Sequence, residues 1–321
     1  MDGSVGVADS TAPLALHVHD VDLLNHAVSG SDLEVIQLKS GRLDAAVDHQ
    51  SLGDLFVDRG TVNLPLRVQG GLDPLKYGIG LYHLGAHATW NGNKVDPSGL
   101  LFYMPGRELN GHTVADYGWT SLVIPPSWVE TVSLATYRPN ALQFREDCRL
   151  IHPEPLKLAE LFHAIAVLKL PAPEFCDSAD RSTWLITDVR NALGGALSAV
   201  DRSWPNLPYS AKAHFRVAQR AERYMRQRIT EPLHIDEVCV ALNVSRRYLE
   251  YAFIDAFGTS PSRYLRLLRL HEVRRRLKAL GDSTTVTHEA ISLGFNHLSL
   301  FSVQYKKTFG ESPSATLARY A

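Results

Sequence analysis

The sequence predicts an α+β protein with a β-rich N-terminal part, a helical segment, and an all-α C-terminal part that holds two helix-turn-helix motifs. Three observations support this prediction. Short apolar segments separated by Gly, Pro, Asn and Asp turn signals fill residues ~30–125. Apolar residues recur at helical spacing from Pro126 onward. One pattern of residues near the end of the chain occurs twice, 52 residues apart.

The β-rich part contains segments such as "LEVIQLKSG", "YGIGLYHLG", "GLLFYMPG" and "WTSLVIPP". Short strands at regular spacing with glycine-containing turns are typical of a barrel or sandwich. Four aromatic residues of these segments are candidates to line an effector pocket, while packing in the core is the default interpretation of each. They are Tyr82, Trp90, Tyr103 and Trp119.

Two histidine pairs in this part are candidate metal ligands. His83 and His87 stand four residues apart, and His17 and His19 form an HxH pair. No glutamate follows at the spacing that a metal motif requires, and Gly85 lies between the first two histidines. We therefore expect neither a metal nor another cofactor, and we interpret these histidines as structural or surface residues.

The segment from ~126 to ~205 is predicted to be helical. "PSWVETVSLAT", "PEPLKLAELFHAIAVLKL" and "STWLITDVRNALGGALSAV" have helical apolar periodicity, with Pro, Ser or Thr near their starts. Such helices either form subunit contacts or pack on the β-structure of their own chain. A proline-bearing break near Trp204–Ser210 predicts the main boundary, between domains at 1–205 and 210–321.

Composition excludes several classes of protein. The chain of 321 residues is long enough for two domains, and 45% hydrophobic with 21% charged residues is ordinary for a folded protein. No apolar run of ~18 residues predicts a membrane span, and the N-terminus does not resemble a signal peptide. Cys148, Cys176 and Cys239 are too scattered for a disulfide framework or a CxxC metal pair. We expect a cytoplasmic protein without a membrane partner.

The near-zero net charge hides an asymmetry along the chain. From Ser210 onward there are 18 Lys and Arg against 10 Asp and Glu, whereas the preceding residues hold 15 against 24. A basic helical module on an acidic body indicates a polyanion such as DNA, or alternatively a solvated charged face.

The repeated pattern has the punctuation of two helix-turn-helix motifs, at ~234–258 and ~286–310. Asn243 and Gly294 tolerate the positive φ that each turn needs. Ser245 and Asn296 are predicted to cap the second helix of each motif. Three matching pairs are predicted to form the buried stripe of the second helix, namely Leu249/Phe301, Phe253/Tyr305 and Phe257/Phe309. The pair Gly258/Gly310 is predicted to end that helix, and the pairs Ser260/Ser312 and Pro261/Pro313 are predicted to start the next one.

The duplication has a geometric meaning. A recognition helix enters a major groove of DNA, and successive grooves on one face lie ~34 Å apart. The helix predicted between the motifs, at ~261–280, would be ~30 Å long at 1.5 Å per residue. One chain is therefore expected to read two successive turns of a duplex.

These residues identify a family resemblance. The stretch "AISLGFNHLSLFSVQYKKTFGESPS" closely resembles the signature of AraC/XylS-type transcription regulators, and the resemblance covers residues ~212–320. The β-rich part and the helices after it resemble the cupin-like effector and dimerisation domain of that family. "VSRRYLEYAF" is similar to the ethanolamine-operon regulator subgroup.

The resemblance implies which side chains contact DNA. Arginine reads guanine, whereas lysine at a phosphate positions the protein without specifying sequence. Arg247 is the principal candidate for a base contact, and Lys306 and Lys307 are candidates for phosphate contacts. Arg274–Arg276 either contact phosphates as well or form an exposed basic helix face. The first recognition helix is expected to present Arg246, Arg247, Glu250 and Tyr251, and the second to present His297, Leu298, Ser299, Ser302 and Val303.

The resemblance also implies partners. They are double-stranded DNA, RNA polymerase, an unidentified small-molecule effector and a second copy of the chain, for a regulator that is expected to activate transcription. Three other functions are alternatives to this one. They are an architectural DNA binder without effector, a cupin-type metalloenzyme fused to a DNA-binding module, and a DNA-repair protein, which would need four clustered cysteines.

Overall fold

The computed structural model describes residues 14–83, 88–135, 148–170, 178–198 and 209–321. Within these ranges the chain forms twelve strands and ten α-helices, as well as two short 3-10 helices at Val21–His26 and Gly281–Ser283. The strands are β1 Leu14–Val18, β2 Asp32–Gln37, β3 Ala45–Leu52, β4 Leu55–Val62, β5 Leu66–Gly71, β6 Tyr77–Tyr82, β7 Ala88–Trp90, β8 Asn93–Val95, β9 Leu100–Tyr103, β10 Glu108–His112, β11 Tyr117–Ile124 and β12 Cys148–Ile151.

The strands form two antiparallel sheets. The seven-stranded sheet has the order β1-β3-β4-β11-β6-β9-β12, and the five-stranded sheet has the order β2-β5-β10-β7-β8. In β4, Leu55 and Val57 are buried on either side of the half-buried Phe56, and the adjacent Asp58 is buried as well, so both faces of this strand are partly covered. The predicted β-rich fold is confirmed, but β1 and β12 lie outside the region ~30–125 that was predicted to be β-structure. The latter lies within the segment that was predicted to be helical.

Three helices follow the sheets, at α1 Pro126–Ala135, α2 Pro155–Val167 and α3 Ser178–Ser198. Their apolar faces share one core with the seven-stranded sheet. Leu161 and Val189 of the helices are buried together with Leu55, Ile79 and Leu122 of the strands. These three helices therefore pack on the β-structure of their own chain.

The C-terminal part is helical, as predicted. It comprises α4 Tyr209–Gln227, α5 Ile235–Leu242, α6 Arg246–Phe257, α7 Pro261–Leu280, α8 Val286–Ser292, α9 Leu298–Phe309 and α10 Pro313–Tyr320. One core runs through these helices, and Ile36 and Leu38 of the N-terminal part belong to it. The N-terminal part is therefore docked on the helices through buried apolar side chains. In the described ranges, no helix is both long and apolar enough to cross a membrane.

Candidate functional site

The first helix-turn-helix consists of α5 and α6. Asn243 ends α5 in the left-handed conformation with φ 53°, and the Ser245 side chain caps α6 by accepting the backbone N–H of Tyr248. Leu249, Phe253 and Phe257 recur every four residues and are fully buried. Because one stripe of α6 is anchored in the core, the opposite stripe faces outward.

The outward stripe of α6 carries the predicted DNA contacts. Arg246 is exposed and forms an ion pair with Asp236 of α5 at 3.1 Å. The exposed Arg247 lies against Tyr251, with its guanidinium 5.6 Å from the ring centroid and Nη2 3.3 Å from the hydroxyl. Glu250 is half-buried, while Tyr251 is 52% exposed. Tyr251 therefore orients Arg247 away from the core.

The second motif consists of α8 and α9. Gly294 has φ 81°, as predicted for the turn. The prediction that Asn296 caps α9 was wrong, because His297 occupies the N-cap position and makes no capping hydrogen bond with its side chain. Two residues separate Asn243 from the start of α6, whereas three residues, 295–297, separate Gly294 from the start of α9. The first of them, Phe295, packs on Phe301 at 4.9 Å between ring centroids.

The outward face of α9 is less polar than that of α6. Among the predicted contacts, His297, Ser299, Val303, Lys306 and Lys307 are exposed, whereas Ser302 is half-buried. Leu298 is also half-buried and packs against the helical core. Phe301 and Tyr305 are buried on the opposite side. This face thus offers few strong hydrogen-bond donors to base edges.

A cleft between the two motifs contains residues that the sequence analysis did not select. Arg266 and Arg269 of α7 line it together with His234, Leu300 and Gln304. Arg269 donates to the backbone oxygens of Ile229 and Glu231, while Arg266 is exposed. The sequence does offer a signal for Arg266, because it follows Arg263 by three residues and therefore lies on the same exposed face of α7.

The aromatic candidates lie together in the N-terminal part. Tyr82, Trp90, Tyr103 and Trp119 all line one cavity of about 90 Å³ between the two sheets. A single water molecule needs only ~10–15 Å³ of such a cavity, so the cavity has room for a small molecule. The other lining residues are largely aliphatic, including Leu24, Val35, Val62, Leu66, Val68 and Ile79.

The polar groups of this cavity include two charged side chains, Asp73 and Lys76, which are half-buried and have partners of their own. Asp73 accepts from the backbone N–H of Leu75, and the Lys76 ammonium lies 3.9 Å from the centroid of the Phe56 ring. Trp90 donates its indole N–H to the Tyr117 hydroxyl at 3.0 Å. Burial raises the pKa values of Tyr82, Tyr103 and Tyr117 well above the usual tyrosine value, so their hydroxyls stay neutral. The indole N–H of Trp119 is buried and has no hydrogen-bond partner among the described residues. It is therefore a donor available to a ligand.

An ion cluster joins the N-terminal part to the helices. Arg67 of β5 is fully buried and pairs with Glu222 of α4 at 2.5 Å, and Glu222 also accepts from Arg226 and from the Tyr264 hydroxyl. Burial opposes ionisation of Glu222, but the charges of Arg67 and Arg226 outweigh it and lower its pKa. Arg226 extends the cluster to Glu34 of β2 at 2.7 Å.

A second ionic contact connects the 3-10 helix near the N-terminus to α7. Arg274 pairs with Asp20 at 2.7 Å and Asp22 at 3.4 Å, and Lys278 contacts the same two carboxylates. Sequence analysis treated Arg274 as a phosphate contact or an exposed basic residue. The structure corrects both interpretations, because Arg274 is buried and paired with acidic residues.

The histidine candidates do not form a metal centre in the described ranges, where no group of three or more His, Cys, Asp or Glu is arranged to hold an ion. His17 and His19 are exposed, and His19 lies 3.1 Å from the Leu43 carbonyl oxygen. His83 lies 3.2 Å from the Thr120 hydroxyl. His87 is outside the described residues.

Comparison with known proteins matches mainly the helical part. A family model described as a helix-turn-helix domain matches residues 238–319. The probable thc operon regulatory protein of Rhodococcus erythropolis is 32% identical over 127 residues, which cover 39% of this chain and 38% of that protein. The chain thus matches well under two thirds of the length of this relative.

Two solved structures add to the comparison. A transcriptional regulator from Chromobacterium violaceum, described as an AraC-type DNA-binding domain-containing protein, is 32% identical over 93% of its own chain and 33% of this one, with TM-score 0.31. The AraC-like transcriptional activator CuxR aligns with 88% of this chain and all of its own at 15% identity and TM-score 0.43.

Proposed function

Since the chain belongs to the AraC/XylS-type family of transcriptional regulators, we propose that it regulates transcription by binding a specific DNA sequence with both recognition helices. The main supporting observation is the repetition of one helix, with one buried stripe and one outward stripe, at a spacing of 52 residues. The 20-residue α7 between them spans ~30 Å, close to the ~34 Å between successive major grooves.

The two helices are proposed to contribute differently to specificity. Arg247 reads a guanine, because its guanidinium is exposed and oriented by Tyr251. The second helix discriminates less, since Ser299 and Val303 offer weak or apolar contacts. Lys306 and Lys307 bind phosphates. Arg266 adds a phosphate contact for the strand that passes the cleft between the motifs.

The cavity between the sheets is proposed to bind the effector, through Tyr82, Trp90, Tyr103 and Trp119. Its walls are largely apolar, and its two charged lining residues already have partners within the protein, Asp73 in backbone N–H groups and Lys76 in the Phe56 ring. A small uncharged molecule is therefore favoured, because a buried charge without a partner would be costly. Binding regulates DNA affinity if the effector prefers one arrangement of the two domains. We further propose that the protein acts in the cytoplasm as a homodimer and contacts RNA polymerase.

Selection of duplexes from a random DNA library by the full-length protein tests the proposed function. The expected result is an enriched motif with two half-sites about one helical turn, ~10 base pairs, apart. Binding without any enriched sequence would instead identify an architectural DNA-binding protein. A thermal-shift screen of neutral and charged metabolites on the same protein tests the effector proposal, and stabilisation only by charged compounds would contradict it.

A further inference from the structure

The N-terminal part contributes hydrogen bonds to the ends of both recognition helices. The last turn of a helix leaves carbonyl groups without intrahelical partners. In α6 and α9 the N–H groups of Gly258 and Gly310 satisfy the carbonyls of Ile254 and Lys306. The carbonyls two residues later, Ala256 O and Thr308 O, accept hydrogen bonds from N-terminal side chains instead.

These two carbonyls are equivalent in the repeat, because Ala256 and Thr308 are 52 residues apart. Ala256 O accepts from Nδ1 of His112 at 2.7 Å, and Thr308 O accepts from Nε2 of Gln37 at 2.7 Å. Two unrelated side chains thus make the same contact to the two copies of the motif. The contacts occur at the C-terminal ends of the helices, away from Arg247 and the N-cap of α9.

The contact to the second motif involves a short segment at the end of β2. Gln37 is 2% exposed, and its backbone N–H donates to Nε2 of His271 in α7 at 3.1 Å. Its side-chain amide also contacts the carbonyls of Lys39 and Gly41, which orients it toward α9. The backbone N–H of Gly41 donates to Lys307 O at 3.1 Å.

The contact to the first motif is equally confined. His112 is 9% exposed, and a β-carbon added to Gly258 would lie 3.2 Å from its ring. The helix-ending glycine therefore leaves room for the histidine. Burial lowers the pKa of His112 to about 4, despite its hydrogen bond to Ala256 O, so the ring is neutral at neutral pH. The neighbouring Asp255 pairs with Lys94 of β8 at 2.8 Å.

Both donors belong to the same five-stranded sheet. Gln37 ends β2 opposite Leu66 of β5, and His112 ends β10 opposite Arg67 of β5. The two donors therefore flank β5, and strand hydrogen bonds set the distance between them. Arg67, between the two contacts, is anchored to Glu222 of α4.

We propose that the five-stranded sheet holds the two recognition helices at one separation, with Gln37 and His112 as the positioning residues, and thereby sets the half-site spacing that the protein accepts. This inference rests on the proposed DNA-binding function. Changing the spacing by one base pair moves a half-site by about 3.4 Å and rotates it by about 35°. Because hydrogen bonds from one sheet hold the ends of both helices, the helices cannot follow such a shift without breaking one of these hydrogen bonds.

The test uses the full-length protein and duplexes that carry the selected half-sites at the best spacing and at one base pair more or less. The variants are Gln37→Met and His112→Phe, each of which replaces one donor by an apolar side chain of similar shape. Gln50→Met is the matched control. Gln50 is also a buried glutamine, but its amide donates to Leu168 O within the N-terminal part.

The wild type and the Gln50 variant are expected to bind altered spacings at least about tenfold more weakly, equivalent to about 1.4 kcal/mol. In Gln37→Met and His112→Phe the penalty should fall to about threefold or less, with unchanged base preference within each half-site. If one variant does not fold, judged by circular dichroism, the other decides, because the two caps lie on different helices.

Three results would overturn the inference. The first is an unchanged spacing penalty in the folded variants, with the wild type still sequence-specific. The second is a uniform gain in affinity at every spacing, which would mean that docking obstructs DNA. The third is equal relaxation in the Gln50 control, which would trace the effect to general destabilisation. A wild type without sequence preference would refute the proposed function itself.

Discussion

The ion pair between Arg67 and Glu222 allows a quantitative test of the contact between the two parts of the chain. Both side chains are almost completely buried, at 0% and 3% exposure, and their charged groups are 2.5 Å apart. Removing one member of a buried pair costs about 3–5 kcal/mol, because the remaining charge stays buried. Since Glu222 retains Arg226 and Tyr264, we expect the lower end of this range for Arg67→Met.

The assay is a double-mutant cycle with Arg67→Met, Glu222→Gln and both together, measured by urea unfolding with tryptophan fluorescence and circular dichroism. Each single change should lower the free energy of unfolding by about 3 kcal/mol. The double variant should lose about 3–4 kcal/mol rather than the sum, which gives a coupling energy of about 2–3 kcal/mol. Partial separation of the two parts would appear as a second unfolding transition.

The exposed pair Lys157–Glu160, 2.8 Å apart on α2, is the matched control cycle. Its coupling energy should not exceed about 0.5 kcal/mol, because solvent screens both charges. Additive losses at Arg67 and Glu222, with a coupling energy no larger than that of the control pair, would refute the reasoning. The buried cluster would then not contribute to docking.

Four further predictions concern the DNA contacts, a buried histidine, the cavity and a helix end. Arg247→Ala should relax base preference at one position and cost ~1–3 kcal/mol, whereas Lys306→Ala should weaken all sequences alike and lower the salt slope by ~1, in titrations on mutated operators. Because the pKa of His112 is lowered from 6.5 to about 4, its neutral form stabilises the native state above pH 6.5. That contribution is lost as the pH falls from 6.5 toward 4, by about 1.4 kcal/mol at pH 5.5, and His112→Phe should remove this part of the pH dependence of unfolding. Trp119→Phe should weaken the binding of a neutral ligand that has an oxygen acceptor by about 1 kcal/mol, measured by calorimetry. The binding of a ligand without such an acceptor should be unchanged. Gly310→Ala should lower the free energy of unfolding by about 1–2 kcal/mol through strain alone, since φ is 76° and no atom lies within 4 Å of the new β-carbon.

The helical part was predictable because its signals are local. The turn residues Asn243 and Gly294 and the helix-ending Gly258 and Gly310 all have the positive φ that their residue types suggested. The ends of α7 also match the prediction, since a Ser-Pro start and a glycine end act within one turn of the helix. Short-range sterics and capping determine such features without reference to the rest of the fold.

The docking of the two parts was not predictable, because it depends on residues far apart in the chain. Nothing near Arg274 indicates that Asp20 pairs with it from 254 positions away. The charge asymmetry indicates a polyanion partner, but part of the positive charge is neutralised within the molecule by Asp20, Asp22 and Glu34. The aromatic cavity was partly predictable. The residue types of Tyr82, Trp90, Tyr103 and Trp119 made them candidates, but only the fold shows that they line one cavity.

The five-stranded sheet has a practical consequence for anyone converting this protein into a biosensor for a new compound. Along β5, Leu66 and Val68 line the cavity while Arg67 between them is bonded to α4. If the cavity binds the effector as proposed, mutagenesis of these strand positions would alter ligand preference and signal output together. Library design should therefore begin on the opposite wall, at positions such as Ile79 and Tyr103, which line the cavity from the seven-stranded sheet.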